Sequence, residues 1–213
     1  KSRANLIIAL NESLKQELIS RKFPVHKIET VGAGIDLKAI TQARCSVKTG
    51  TCTGIFLGRL HPAKGIFDIV PIWKRVVSEI PGAALAIIGP GELGVVHLLR
   101  QQIETAHLTN HISLLGVLPD KEVYCLMKNA KVFLFTDHES GWGLAVAEAM
   151  ASGLPVVGYN TGVLETIYKD GFEVVPRGDS KQFARKIIFL LTHEKRRRHL
   201  VMLAQKTAAK LDW

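Results

Sequence analysis

The chain has 213 residues, with 28 Lys and Arg against 19 Asp and Glu, so its formal charge is +9; 47% of its residues are hydrophobic. This composition excludes a disordered, collagen-like or coiled-coil chain, and the length allows a core that needs no disulfides or metals. The three cysteines form no Cys-x-x-Cys pair, which favours a reducing compartment. No apolar run reaches the roughly 18 residues of a membrane span. The charge favours an anionic partner, either a phosphate-bearing small molecule, an anionic membrane surface or nucleic acid.

Short apolar runs alternate with helical stretches along the chain. The first part predicts a strand at 4–10, a helix at 12–21, a strand at 28–32 and a loop at 41–53. From residue 54 the alternation becomes regular. We expect strands at 54–60, 83–89, 112–116, 131–136, 154–159 and 172–176, and helices at 66–79, 94–107, 120–129, 143–152, 162–169 and 181–209. Pro71 should kink or shorten its helix, and Asp179 or Ser180 should cap the last one.

The predicted strands are continuous apolar runs, which is typical of strands that are covered on both faces. With a helix after each strand, the pattern predicts an α/β fold with a doubly wound, Rossmann-like parallel sheet. Ligands of such sheets bind outside the carboxyl ends of the strands. The loops that follow the strands are therefore where we look for functional residues.

The loop after the strand at 54–60 reads Gly-Arg-Leu-His-Pro-Ala-Lys-Gly, residues 58–65. Arg59 and Lys64 could bind the two phosphates of a diphosphate, Arg through its planar fork and Lys as a point charge. Gly58 and Gly65 would let the backbone approach a ligand closely. The alternative is a pair of solvated cations on a surface loop.

The next loop, residues 89–94, reads Gly-Pro-Gly-Glu-Leu-Gly and fits the dinucleotide pattern G-x-G-x-x-G. That fingerprint belongs to the first βα unit of a fold, and Pro90 removes an amide that a pyrophosphate could use. A tight turn that leads into a helix is the favoured interpretation.

The segment 136–157 contains two glycines, Gly141 and Gly143, directly before a predicted helix. The amides and the positive end of that helix would point at a bound anion. Glu139 precedes the helix and Glu148 lies within it, where a carboxylate could accept hydrogen bonds from sugar hydroxyls or simply be solvated. Thr161-Gly162 opens a further short helix that we expect at the same crevice, unless it is a plain capped helix.

The chain lacks the spacings of common metal sites. Its eight histidines show no His-Glu-x-x-His pattern, and no Asp-x-Asp occurs, so we expect no metal. The basic run Lys195–His199 is interpreted as one solvated helix face. Because no aromatic residues interleave with it, we expect no nucleic-acid partner.

Together these loops resemble the C-terminal donor-binding domain of GT-B glycosyltransferases, in particular the retaining family 4 (group 1). The family pattern runs G-R-x-x-x-x-K-G, then E-G-F-G-L-x-x-x-E-A-M-A-x-G-x-P-V-V, then G-x-x-E. This chain shows GRLHPAKG, ESGWGLAVAEAMASGLPVV and TGVLET in that order. NESLKQELI and VGAGID are similar to the family's hinge region, so the resemblance covers nearly the whole chain.

The resemblance implies transfer of a sugar from a UDP- or GDP-sugar, with retention, by front-face attack and without a metal or other cofactor. Arg59 and Lys64 match the cations that hold the diphosphate, and with Glu139 they are the expected catalytic residues. Glu148 matches the ribose ligand, and Val117 and Leu118 match positions that line the base. The implied nucleotide-sugar site comprises Gly58, Arg59, Lys64, Gly89, Val117, Leu118, Glu139, Ser140, Gly141, Trp142, Gly143, Leu144 and Glu148.

The chain departs from the family at the first of two glutamates that are normally eight residues apart. Eight residues before Glu148 stands Ser140, whereas Glu139 is nine residues away. Either Glu139 contacts the donor sugar through a bulged loop, or that contact is lost.

The resemblance also implies a division of the chain. We expect residues 1–30 to lead into the domain, residues 31–213 to form the nucleotide-sugar-binding domain, and the N-terminal acceptor-binding domain to be absent, so that the fragment binds nucleotide but hardly catalyses. The expected location is cytoplasmic, peripheral at the anionic inner membrane face.

Two alternatives remain at this point. A nicotinamide-dependent oxidoreductase would use Gly89, Gly91 and Gly94 but needs an acidic residue about 20 positions later, where His111 and Ile112 stand. A basic module that docks on membranes or nucleic acid would depend on the net charge and the 195–199 run alone.

Overall fold

A parallel sheet of six strands organises the chain in a computed structural model that describes residues 4–45, 52–139 and 142–212. The strands are β1 (Ile7–Ala9), β2 (Ile28–Thr30), β3 (Gly54–Leu57), β4 (Leu85–Ile88), β5 (Ile112–Gly116), β6 (Val132–Phe135), β7 (Val156–Tyr159) and β8 (Phe172–Val175). The helices are α1 (Glu12–Ser20), α2 (Leu37–Gln42), α3 (Ile69–Glu79), α4 (Leu93–Thr105), α5 (Asp120–Asn129), α6 (Leu144–Ala151), α7 (Ser180–Thr192) and α8 (Glu194–Ala208).

The strand order in the sheet is β5-β4-β3-β6-β7-β8, and every neighbouring pair is parallel. The chain winds from β3 outward to β5 and then crosses back to β6, so the order reverses between β3 and β6. This confirms the predicted doubly wound α/β fold. The loops after β3 and β6 meet at the switch point, where such sheets bind ligands.

Apolar layers cover both faces of the sheet, as the continuous hydrophobic strands predict. One layer packs α3 and α7 on the sheet and includes Trp73 and Phe183, both fully buried. The other packs α2, α5 and α6 on the opposite face and includes Ile40 and Met127, which are also fully buried. Burial on both sides fixes the sheet and, with it, the loops at its carboxyl edge.

The N-terminal segment forms a small unit of its own. Strands β1 and β2 pair in parallel with each other and not with the six-stranded sheet. The side chain of Asn11 caps α1 by accepting a hydrogen bond from the Leu14 amide at 2.8 Å. The segment that was expected to lead into the main domain therefore adds no strand to the main sheet.

The last helix was predicted wrongly as one continuous element over 181–209. It is two helices, α7 and α8, separated at His193, whose backbone has φ −113° and ψ 80°. The Arg197 side chain donates hydrogen bonds to the carbonyls of Leu190 and Leu191 at 2.9 and 3.3 Å. These bonds satisfy carbonyls that an uninterrupted helix would satisfy itself. Asp179 caps α7 as predicted, through the Gln182 amide.

Other boundaries also differ from the expectations. The predicted loop 41–53 begins inside a short helix, α2, that the sequence analysis missed; residues 46–51 lie outside the described residues. Helix α3 begins at Ile69 rather than at residue 66, which puts Pro71 in its first turn, where no amide donor is needed. The predicted helix 162–169 is a single π turn, Leu164–Tyr168.

Candidate functional site

The loops that follow β3 and β6 are joined by hydrogen bonds. Thr136 Oγ1 donates to the Lys64 carbonyl at 2.8 Å, and the His138 amide donates to the Ala63 carbonyl at 2.9 Å. Gly65 has φ +61°, and a Cβ placed on it would lie 2.0 Å from the Thr136 carbonyl oxygen. Only glycine allows this approach, so the backbone that carries Lys64 is fixed against the end of β6.

Lys64 points its ammonium at a carboxylate that the sequence analysis did not single out. Lys64 Nζ lies 2.5 Å from Asp137 Oδ2, and the two side chains are 28% and 7% exposed. Since a nearly buried carboxylate requires a compensating partner, this ion pair holds both groups in one place. The predicted cation thus sits at the switch point of the sheet, with its charge balanced.

A pocket of about 300 Å³ opens at this point. Lys64 and Gly58 from the loop after β3 share its wall with Gly143 and Leu144 from the start of α6. The full lining is Phe56, Leu57, Gly58, Lys64, Leu134, Phe135, Asp137, Trp142, Gly143, Leu144 and Ala145. The cation loop and the helix start that the sequence placed together by strand order do share one pocket.

The start of α6 is held by an aromatic pair below the pocket. Gly143 precedes the helix with φ +81°, and Tyr168 Oη donates to the carbonyls of Gly143 and Trp142 at 2.7 and 3.1 Å. The rings of Trp142 and Tyr168 meet edge to face at 5.6 Å. The first-turn amides of a helix have no intrahelical acceptor, and Leu144 and Ala145 carry such amides at the pocket wall. An anion there would meet the positive end of the helix.

Glu148 lies one turn further along α6, partly buried beside the start of α5. Burial, and then the negative charge of Asp120, raise the pKa of Glu148 to about 7. The same carboxylate contributes, after burial, to raising the pKa of Tyr124 on α5. Glu148 therefore faces the side of the crevice that follows β5, where Val117 and Leu118 precede α5.

The predicted site residues differ in how they meet the pocket. Gly58, Lys64, Trp142, Gly143 and Leu144 line it. Arg59 and Glu139 are exposed and are not among its lining residues. Val117 is 72% exposed and Leu118 is half-buried after β5. Ser140 and Gly141 lie outside the described residues.

Gly89 has a structural reason to be glycine. Its φ is +138°, and a Cβ on it would lie 2.0 Å from the Gly58 carbonyl oxygen. Gly94, the last glycine of the same pattern, has nothing within 4 Å of its Cβ position. Gly89 thus serves a crossing of adjacent loops.

Other residues line two further cavities. Thr161 and Gly162, expected at the same crevice, line a cavity of about 220 Å³ against α1, together with Asn11 and Glu17. A larger cavity of about 430 Å³ lies between α3 and α4 and includes Lys74. It covers a face of the sheet rather than its carboxyl edge, so we do not assign it as the site.

The basic run at 195–199 has partners within the molecule. Arg196 donates to Glu173 at 2.8 Å, and Arg198 pairs with Glu194 at 2.5 Å. Arg197 donates to the carbonyls that end α7. These contacts support the interpretation of the run as a helix face.

Membrane and metal features were searched over the described parts of the chain. In residues 4–45, 52–139 and 142–212, no helix combines the length and hydropathy that crossing a bilayer requires. Within the same ranges, no three His, Cys, Asp or Glu side chains group as metal ligands would. The cytoplasmic location and the contact with an anionic membrane face stay predictions.

Sequence analysis missed two residues of this site. Asp137 stands directly after a buried strand at the carboxyl edge of the sheet, and that position was the available signal. Tyr168 acts on Gly143 from 25 residues away in sequence, and no local pattern marks it.

Several known proteins are similar to this chain in sequence. Trehalose synthase of Pyrococcus horikoshii is 31% identical over 144 residues, which are 64% of this chain and 34% of that protein. Phosphatidyl-myo-inositol mannosyltransferase of Mycobacterium leprae is 29% identical over 165 residues, or 76% of this chain and 43% of that protein. The chain therefore spans less than half the length of these curated relatives.

The fold is similar to that of the crystal structure of Anabaena HepE in complex with UDP and glucose. The TM-score is 0.84 at 21% identity, and the match covers 98% of this chain and 60% of that one. The sequence profile described as "Glycosyl transferases group 1" matches residues 46–207, which include the loops after β3 and β6 and helix α6. The chain belongs to the group 1 glycosyltransferases, and its six-stranded sheet is the Rossmann-like domain of their GT-B fold.

Proposed function

We propose that this chain is the donor-binding part of a retaining glycosyltransferase that takes a UDP- or GDP-sugar. The observation that carries the proposal is the shared pocket, in which the Lys64 ammonium and the first turn of α6 converge. A diphosphate bears charge on several oxygens, and these two groups are complementary to it. The solved relative with UDP and glucose has the same fold.

Each part of the nucleotide sugar has a candidate partner along the carboxyl edge of the sheet. Lys64 and the amides of Leu144 and Ala145 would bind the diphosphate, with Arg59 reaching it from the exposed end of its loop. Glu148 would accept hydrogen bonds from the ribose hydroxyls. Val117 and Leu118, after the outer strand β5, would line the base.

The chemistry that these residues would supply is electrostatic. When the bond between the sugar and the diphosphate breaks, negative charge develops on the leaving oxygen. An ammonium and a helix end that are already in place stabilise that charge without rearranging at the moment of reaction. The proposal therefore needs no metal ion, and the acceptor would bind to a part of the protein outside this chain.

The oxidoreductase alternative has lost its support. The close approach of Gly58 to Gly89 accounts for that glycine without a dinucleotide. The chain also belongs to a glycosyltransferase family. The docking alternative is weakened in turn, because the arginines of the 195–199 run are engaged internally.

Calorimetric titration with UDP, GDP and uridine tests the proposal. We expect a nucleoside diphosphate to bind, and Lys64→Ala to weaken its binding roughly ten-fold or more, because a charge-assisted hydrogen bond is lost. Arg59→Ala should weaken it less, by about three-fold, since this side chain is exposed. Binding of uridine should change little in either variant.

Lys74→Ala is the matched control, because Lys74 lies on α3 beside a different cavity. It should leave the binding of UDP and GDP unchanged. Absence of binding to either diphosphate at millimolar concentration would refute the proposal. Equal losses for uridine and UDP would refute the phosphate role of the two cations.

A further inference from the structure

The pocket wall carries a carboxylate as well as an ammonium group. The described residues that line the pocket include one carboxylate, Asp137, which is 5% exposed as a residue. Glu139, the expected sugar ligand, is exposed and lies outside that lining. The negative charge that faces the donor pocket therefore comes from Asp137.

Asp137 is held firmly on both sides along the chain. Thr136 before it donates to the Lys64 carbonyl, and His138 after it donates through its amide to the Ala63 carbonyl. The His138 ring stacks on Tyr159 with 5.6 Å between the ring centroids. The carboxylate thus has a fixed position relative to the backbone of Lys64.

A lysine side chain that is not held samples many rotamers, and ordering it on binding costs about 0.5–1.5 kcal/mol. The 2.5 Å contact between Lys64 Nζ and Asp137 Oδ2 orders it in advance. We propose that Asp137 is a positioning residue of the donor site, whose buried carboxylate fixes the Lys64 ammonium in the pocket before the diphosphate of a nucleotide sugar binds. This inference rests on the proposed function.

The ion pair also affects the net charge at the pocket wall. Lys64 and Asp137 together are close to neutral, so the ammonium attracts a diphosphate through its position more than through a net charge. If Lys64 is removed alone, a buried carboxylate remains at the pocket wall and repels the phosphate. If both are removed, that repulsion is gone.

Titration of UDP into the wild-type chain, Asp137→Ala, Lys64→Ala and the double variant tests the inference. Asp137→Ala should weaken UDP binding by up to about five-fold, because the cost of ordering one long side chain returns and the loss of a repulsive carboxylate offsets only part of it. The double variant should bind UDP more tightly than Lys64→Ala, because it lacks the uncompensated carboxylate. Uridine should bind all four proteins equally.

Two results would overturn the inference. One is that Asp137→Ala weakens UDP binding by the same factor with and without Lys64, since a positioning residue acts only through the group it positions. The other is that uridine loses affinity as much as UDP does. Glu173→Ala is the control, because Glu173 also holds a lysine, Lys186 at 2.8 Å, but lies on β8 outside the pocket lining. It should leave UDP binding unchanged.

A second measurement does not need nucleotide and uses Asp137→Asn, which preserves the shape of the side chain. Acetic anhydride acylates lysines, and mass spectrometry of the peptides gives the rate at each one. The Lys64 ammonium must leave Asp137 before it reacts, so we expect Lys64 to react several-fold more slowly in the wild type than in Asp137→Asn. Lys74 should react equally in both.

Equal rates at Lys64 in the two proteins would overturn the ion-pair positioning even if UDP binds. If the wild type shows slow acylation of Lys64 but binds neither UDP nor GDP, the proposed function fails, and the role of Asp137 in donor binding fails with it. The ion pair itself would then stand as a property of the fold. The two failures are therefore distinguishable.

Discussion

Two glycine-containing loops at the carboxyl edge of the sheet have similar patterns but different roles. The loop of residues 58–65 follows β3, and the loop of residues 89–94 follows β4. Each contains one glycine on which a Cβ would lie 2.0 Å from a neighbouring carbonyl oxygen. That oxygen belongs to Thr136 for Gly65 and to Gly58 for Gly89. In both loops, the glycine allows two chain segments to cross.

The difference between the loops comes from their place in the sheet. The first lies at the switch point between β3 and β6, and its Lys64 reaches a pocket. The second lies between strands that the chain visits in succession, and the two later glycines of its pattern, Gly91 and Gly94, are exposed. Strand order, more than glycine spacing, decides which loop can bind a ligand.

The largest expected effect is on stability and should be shared by both loops. Gly65→Ala adds a Cβ that overlaps the Thr136 carbonyl in a backbone conformation that disfavours side chains, so we expect a loss of about 3 kcal/mol or more in the free energy of unfolding. For a chain of this length, this lowers Tm by roughly 6–12 °C. Thermal unfolding followed by circular dichroism measures it. Gly89→Ala should behave alike, and a loss below about 1 kcal/mol in either variant would show that these crossings are not tight.

A smaller effect on stability should come from Glu148, on the side of the candidate pocket, and it should depend on pH. The folded pKa of Glu148, about 7, is above its ordinary value of 4.5, so the folded chain holds a proton that the unfolded chain releases. This contribution to stability is present below pH 4.5 and declines as pH rises toward 7. Its full loss above pH 7 amounts to a few kcal/mol at most, on the order of 2 kcal/mol with solvent screening.

Glu148→Gln should remove that decline. Urea unfolding at pH 5 and pH 8 should show a more stable variant at pH 8 and nearly equal stability at pH 5. At pH 8, where Glu148 is ionised, the same variant should bind UDP roughly ten-fold more weakly, because a charged acceptor for the ribose is lost. Glu122→Gln on the exposed side of α5 is the control and should change neither quantity. If the stability of Glu148→Gln declines with pH as that of the wild type does, another group is responsible for the decline.

The smallest effect sharpens the contrast between the loops. Gly94 is the second residue of α4, and its Cβ position is open, so Gly94→Ala should raise stability by about 0.5–1 kcal/mol or leave it unchanged. Differential scanning calorimetry would show Tm constant or higher by a few degrees. UDP binding should not change. A loss of UDP affinity in Gly94→Ala would mean that the loop after β4 contacts the ligand after all.

Much of the main sheet was predictable, because each strand from β3 to β8 is an apolar run and each is followed by a helix or a turn. The predictions failed where a local pattern was continuous but the structure was not. Nothing in the residues around His193 marks the break between α7 and α8, since the carbonyls that the break releases are satisfied by Arg197 from the following helix. Helix α2 was missed because it has only six residues and little periodicity.

The sequence motifs singled out Lys64, Gly143 and Glu148 as candidate site residues. They did not show how these residues interact. Lys64 was expected to bind a phosphate or to be a solvated cation, and the structure pairs it with Asp137. That pairing joins residues 73 positions apart in sequence, and it exists because β3 and β6 are neighbours in the sheet.

The sequence by itself determined the class of fold and singled out the residue types that we expect to meet a ligand, because hydrophobic period and strand-end motifs are local properties of a chain. Tertiary structure alone decided which acid balances Lys64 and that burial beside Asp120 raises the pKa of Glu148. The physical reason is that charge balance and desolvation depend on neighbours in space, and those neighbours are assigned by the order of the strands.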